Sequence, residues 1–203
     1  MQDAAKPGRF KYLDADHDGV ITEKDRVHFG NPNPKFTLGI NVSFTFKNFD
    51  FATFFYGSFG NDVLNDLRYA TDVFPSELTL TPKSKTALYD SWTPQHLNAK
   101  APLVENDQNF SNAGVVNSYA LEKGTYFRNK IMSLGYSFSK KWLDEVRIER
   151  LRLYIQAANL FTITKYSGLD PELSGTSSAY GIDSNGNYPN NQKQWIIGIN
   201  LSL

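Results

Sequence analysis

Residues 36–46 read FTLGINVSFTF, and the alternation is unbroken. Phe36, Leu38, Ile40, Val42, Phe44 and Phe46 fall on one side; Thr37, Gly39, Asn41, Ser43 and Thr45 fall on the other. Successive strand residues point to opposite faces, so this pattern predicts a β-strand with one apolar face and one small, neutral-polar face. Lys47 and Asn48 then make a tight turn into a second strand, FDFATFFYGSFG. The pattern returns at 125–138, where Met132, Leu134, Tyr136 and Phe138 oppose Ser133, Gly135 and Ser137. A fourth strand sets Leu151, Leu153, Ile155 and Ala157 against Arg150, Arg152, Tyr154 and Gln156. The last, WIIGINLSL, sets Trp195, Ile197, Ile199, Leu201 and Leu203 against Gly198, Asn200 and Ser202.

The connections alternate between short and long. The stretch from about 60 to 123 reads as one long loop, rich in Pro, Asn, Ser and Asp, with a short helical turn at GNDVLNDL. A second polar loop runs to about residue 192. Short turns on one side and long loops on the other are the habit of outer-membrane barrels, whose strands need about 9–11 residues to cross. The predicted fold class is all-β: about five antiparallel strands of a transmembrane β-barrel with long extracellular loops. If the last strand runs toward the periplasm, so does 36–46, and residues 1–35 form an extracellular loop before the strands of 36–203. A soluble β-sandwich also alternates, but its turns recur about every 8–12 residues.

Composition narrows the function. Lysine plus arginine and aspartate plus glutamate both total 21, so the net charge of zero gives no electrostatic case for nucleic acid. There is no cysteine, and His17, His28 and His96 are scattered. Aromatic residues make up 14% of the chain, although the mean hydropathy is a polar −0.43. That combination suits strands with one greasy face. No nucleophile–base pair or glycine-rich phosphate loop is present, and the carboxylates lie mostly in loops, so no enzyme is expected. MQDAAKPGRF lacks the charged and apolar regions of a signal peptide, so export from this start is not expected by the usual route.

One loop carries candidate metal chemistry. DADHDGVITEKD, residues 14–25, matches a calcium loop: Asp14, Asp16 and Asp18 at places 1, 3 and 5, Gly19 at the sharp turn, the Val20 carbonyl at 7 and Asp25 at 12. Ca²⁺ is hard and takes several oxygens at once. Asp25 stands where Glu is usual and resembles the loops of dockerins. Pro7, Gly8 and GNPNPK flank the loop, so neither side can be a long helix. The expectation is a structural clip. The alternative function is a soluble, calcium-dependent carbohydrate-binding β-sandwich.

Several stretches together resemble the C-terminal region of SusC/RagA-type, TonB-dependent outer-membrane transporters of the Bacteroidetes. They are FKYLDADHDGVITEKDRVHFGNPNPKFTLGIN (10–41), FDFATFFYGSFGNDVLN (49–65), YFRNKIMSLGYSF (126–138), LRLYIQAANLFTITKYSGLDPE (151–172), YP at 188–189 and the terminal strand. The resemblance implies a 22-stranded, plugged barrel that imports glycan- or peptide-derived oligomers. It also implies energy from the TonB complex, through an N-terminal region this chain lacks, and a SusD-like surface lipoprotein as lid. About five strands cannot close a barrel, so the chain alone is not expected to transport. The chain ends on Leu203, where such proteins commonly end on an aromatic residue.

The strand pattern points Arg150, Arg152 and Gln156 into the lumen, either lining a substrate path or pairing with plug carboxylates. Tyr126, Phe127, Tyr136 and Trp195 are candidates for the aromatic girdle at the outer-membrane lipid interface. Asp170, Pro171 and Glu172 read as a turn, and Trp92 as a packing residue.

Overall fold

The computed structural model describes residues 1–73, 82–112, 114–145, 147–173, 179–184 and 191–203. The FPSELTLT stretch and the YP pair at 188–189 lie outside the described residues. The strands are β1 (Phe36–Phe46), β2 (Phe49–Phe59), β3 (Asp62–Asn65), β4 (Leu121–Lys123), β5 (Tyr126–Ser137), β6 (Arg150–Ala158), β7 (Thr162–Thr164), β8 (Ile182–Asp183) and β9 (Gln194–Ser202). The chain divides into two compact units.

One unit holds Pro32–Asp62, Lys123–Ser174 and Tyr188–Leu203. Its sheet has the order β1-β2-β5-β6-β9, with β7 also paired to β5, and every pairing is antiparallel. The five long strands are those the alternation predicts, and β1 has the predicted bounds. Lys47 adopts a positive φ of 53°, which lets the chain reverse within two residues so that Phe46 pairs with Phe49. Direct partners share a face. Val42, Thr53, Met132, Ala157 and Trp195 therefore form one row across the sheet, and Phe44, Phe51, Leu134, Ile155 and Ile197 the next.

A β-bulge corrects a conflict in β5. The series Tyr136, Leu134, Met132 continues to Lys130 and Arg128, so an unbroken strand would put both cations on the apolar face. Instead, Phe54 pairs with Ile131 and Phe55 with Asn129, leaving Lys130 as an extra residue. One extra residue flips all that follows to the other face. Arg128 and Lys130 move to the polar side, and Phe127 comes to stack on Phe55 at 5.6 Å.

Both faces of β1 are exposed along its whole length, and β9 is nearly so. Leu201 is 54% exposed, Ile199 66% and Ile197 82%. A sandwich covers one face of each strand with a second sheet, and among the described residues nothing covers either face of β1. No helix among the described residues is long and apolar enough to cross a membrane, which says nothing against crossing by strands.

The other unit holds Met1–Asn31, Val63–Glu122 and Gly175–Asn187. The stretch expected to be one long loop is instead built from short elements. The helix Asp66–Asp72 is capped by the Asn65 side chain, which accepts from the Arg68 N–H at 2.9 Å. The helix Lys85–Tyr89 is capped by Ser84. β3 sits between β4 and β8, parallel to β8. Tyr69, Val73 and Ala120 form a small core, flanked by Phe10, Leu64 and Tyr119. The N-terminal segment is tied in by backbone bonds from Phe10 N–H to Ser111 O (2.9 Å) and Leu103 N–H to Gly8 O (2.7 Å). These pieces are too short for a periodic signal, and their polar side chains spend themselves on local backbone groups.

Candidate functional site

The polar face of the sheet carries two charged constellations. The first is built on β5. The Arg128 side chain is wholly buried. It donates to Thr162 Oγ1 at 2.8 Å, to Asp170 Oδ1 at 2.5 Å and to Glu172 Oε2 at 2.5 Å. Lys130 meets Glu172 at 2.5 Å. The guanidinium lies over the Tyr126 ring and the Lys130 ammonium over the Tyr56 ring, 5.4 and 5.9 Å from the centroids. Asp170 Oδ2 is buried without a protein partner among the described residues. Asp170-Pro171-Glu172 does bend the chain, but its two carboxylates also strap residues 170–172 to β5. The turn reading missed this role, although two cations in a predicted membrane strand already demanded carboxylates from elsewhere.

The second constellation lies at the other end of the strands. Arg152 reaches across β5 to Asp50 on β2, with its Nε 2.9 Å from Oδ1 and its Nη2 2.5 Å from Oδ2. It passes over Gly135, which pairs with both Asp50 and Tyr154. A Cβ at Gly135 would sit 2.5 Å from Asp50 Oδ1 and against the guanidinium. Tyr154 in turn lies on Gly198, with the Arg152 guanidinium 5.0 Å from its ring centroid. Gln156 shares this face opposite Ser133 and Ile196. Arg150 sits at the strand start opposite Ser202, exposed to solvent. The sheet thus sets Arg150, Arg152 and Gln156 on one face, with Arg152 paired inside the sheet itself.

Phe127, Tyr136 and Trp195 fall on the apolar side of the sheet. Tyr126 lies on the opposite side: it pairs with Ser58 and is 4% exposed, on the same face as Arg128. The bulge that turned Arg128 inward turned Tyr126 with it. Trp92 packs its indole on the backbone of Gly8, whose φ is +88°.

The acidic loop folds on itself. Gly19 takes a φ of 84° at the turn. Its N–H donates to Asp14 Oδ2 at 2.9 Å, and Val20 N–H donates to Asp18 Oδ1 at 2.8 Å. Asp14, Asp16 and Asp18 bring one carboxylate oxygen each within 4.8 Å of one another, so the exposed triad could hold a metal ion. Asp14 Oδ1 is buried with no protein partner among the described residues, as an oxygen kept for a cation would be. Asp25 is differently engaged. It accepts from Ala15 N–H at 2.8 Å and Thr22 N–H at 2.7 Å, and closes a capping box with Thr22. The Thr22 and Ala15 amides hold its carboxyl below the usual aspartate range.

No protein-family model matches the chain. Among curated proteins, it is 30% identical to TonB-dependent receptor P3 of Formosa agariphila over 205 residues, covering 97% of this chain and 19% of the relative. It is 27% identical to TonB-dependent receptor SusC of Bacteroides thetaiotaomicron over 201 residues, covering 98% of this chain and 18% of that protein. Among solved structures, a chain of the RagAB peptide importer in its closed-closed state superposes with a TM-score of 0.68 at 27% identity, covering 85% of this chain and 18% of that one. These relatives are receptors and importers, not enzymes. The antiparallel sheet and the match to three such proteins agree: this chain is homologous to TonB-dependent receptors of the SusC and RagA type and spans about a fifth of the length of the curated relatives it matches.

Proposed function

We propose that this chain is the C-terminal part of an outer-membrane, TonB-dependent nutrient importer. The observation that carries the reading is the apolar face of the sheet, exposed along β1 and β9 and in part on β2, β5 and β6, where Phe49, Leu134, Leu153 and Ile155 stand open. Eleven residues at ~3.3 Å per residue, tilted by ~45°, give an apolar band of about 25 Å, the height such barrels present to lipid. Further strands of a 22-stranded barrel would pair with the free edges of β1 and β9, since unpaired backbone is not tolerated in hydrocarbon. The polar face would then line the lumen, with Arg150, Arg152 and Gln156 on it. Because Arg152 is already paired with Asp50, Arg150 and Gln156 are freer to meet a plug or a substrate. Peptide or oligosaccharide cargo and a SusD-like lipoprotein lid are the substrate class and partner, supported by the likeness to a peptide importer and to SusC.

Residues 1–35 would form an extracellular loop in which Asp14, Asp16, Asp18 and the Val20 carbonyl bind Ca²⁺ as a structural clip. Asp25 would support the loop through its amide contacts. Asp14→Ala and Asp18→Ala should each weaken Ca²⁺ binding in the intact receptor, measured by calorimetry; undiminished binding would refute the assignment.

The membrane reading is tested by paired substitutions on β1 of the intact receptor. Ile40→Arg puts a charge on the apolar face, and Asn41→Arg puts it on the polar face. An arginine facing lipid at mid-depth costs about 2–4 kcal/mol, whereas one in a wet lumen costs little. Unfolding in lipid vesicles should separate the two variants by that amount. Equal effects would reject lipid as the covering of this face.

A further inference from the structure

The end of the sheet at the Lys47–Asn48 turn is dressed differently from its middle. Phe46 is 65% exposed and Phe49 49%. Phe49 meets Tyr136 at 4.8 Å, Tyr136 meets Phe138 at 5.1 Å, and Phe138 meets Trp142 at 6.2 Å. This aromatic run leaves the apolar face of β5 and continues past the strand end onto the short helix Lys140–Asp144. Leu143 turns inward and is 2% exposed, while Trp142 is 67% exposed.

Three cations stand beside the run. Lys47 reaches back along Phe46, with its ammonium 5.4 Å from the ring centroid. Lys140 and Lys141 directly precede Trp142, and both are exposed. Asp144 and Glu145 follow on the helix and are exposed too, yet among the described residues no carboxylate lies within ion-pair distance of any of the three lysines. A soluble turn has no use for an exposed indole next to two exposed lysines. A headgroup layer uses both: aromatic rings sit at the boundary of apolar and wet regions, and long cationic side chains reach outward to phosphates.

We infer that Lys47, Lys140, Lys141 and Trp142 form a binding surface for anionic phospholipid headgroups, continuous with the apolar face of the sheet. The inference rests on the membrane reading of that face and adds to it a preference for negatively charged lipid. Apolar contact alone would not distinguish phosphatidylglycerol from phosphatidylcholine. Three unpaired ammonium groups on one rim do, through attraction to the surface charge.

The test uses the intact receptor in vesicles, with a fluorophore on Ser139→Cys. Ser139 is exposed and its hydroxyl makes no capping bond, so the substitution removes no cap from the helix. Quenching by nitroxide-headgroup lipid is measured in competition with phosphatidylglycerol or phosphatidylcholine. A second fluorophore on Ile199→Cys is quenched by chain-labelled lipid and reports the apolar face independently. The expected result is quenching at both positions and local association of phosphatidylglycerol roughly tenfold or more above phosphatidylcholine. That preference should collapse to near unity in the variant Lys47→Gln/Lys140→Gln/Lys141→Gln. Quenching at 199 but not at 139, or equal affinity for the two lipids with the lysines intact, overturns the inference and leaves the membrane reading standing. No quenching at 199 overturns the membrane reading and the inference with it.

Discussion

Asp170→Ala is the most informative single change outside the apolar face. It removes one of two carboxylates that neutralise Arg128, whose side chain is wholly buried. Removing one partner of a buried pair costs about 3–5 kcal/mol, because the remaining charge stays without compensation. Glu172 remains at 2.5 Å, so the loss should fall at the lower end, about 3 kcal/mol. Glu172 is 28% exposed and shared with Lys130. Water screens that position, so Glu172→Gln should cost about 1 kcal/mol. Arg128→Met leaves two carboxylates facing each other and should cost at least as much as Asp170→Ala. The double variant Arg128→Met/Asp170→Ala should then be less destabilised than the sum of the singles, by roughly 1–3 kcal/mol. Urea unfolding of the intact receptor in lipid vesicles measures all four. If Asp170→Ala costs less than about 0.5 kcal/mol, or the double variant is additive, Asp170 does not hold Arg128 and the strap reasoning is wrong.

Three further outcomes follow from contacts in the two units. Gly135→Ala should cost about 1–3 kcal/mol in the same unfolding assay, because its methyl meets the Asp50 carboxylate and the Arg152 guanidinium; Ser133→Ala, on the same face, should be nearly neutral. Thr53→Val should cost about 1–3 kcal/mol, since it strips the acceptor from the wholly buried Asn129 amide, 2.8 Å from Thr53 Oγ1. The bidentate bond from Arg9 holds the Glu105 carboxyl at about 2, well below its ordinary 4.5. A lowered folded pKa stabilises above the unfolded value and is lost on acidification. The local stability that Glu105 contributes should therefore be full above about pH 4.5 and fade as pH falls toward about 2. Protection of the Leu103 amide against exchange, taken relative to its intrinsic rate at each pH, should fall across that window, since its N–H donates to Gly8 beside Arg9. The same loss of protection with falling pH in a Glu105→Gln variant would refute the assignment.

The sequence by itself determined the five long strands, their tight turn at Lys47–Asn48 and the sides on which most of their residues fall. Strict alternation is a local property: a strand must bury or expose every second residue, and Phe36–Phe46 states its own faces without reference to any neighbour. The homology was legible because the matching stretches are continuous runs of sequence: the acidic loop with β1 behind it, and the other strands with their flanks. Asp14, Asp16, Asp18 and Gly19 also lie close in sequence, so their convergence was readable as spacing. Tertiary structure decided the rest. The bulge at Lys130 depends on pairing with Phe54 and Phe55, and only that pairing reverses the faces of Arg128 and Tyr126. Asp170 and Glu172 meet Arg128 across more than 40 residues, and Asp50 meets Arg152 across about a hundred, contacts that no local pattern encodes. The N-terminal segment and residues 63–122 read as loops because their elements are short and polar. They become one unit only when Phe10, Tyr69 and Tyr119 share a core, and burial of that kind exists only after the chain has come together.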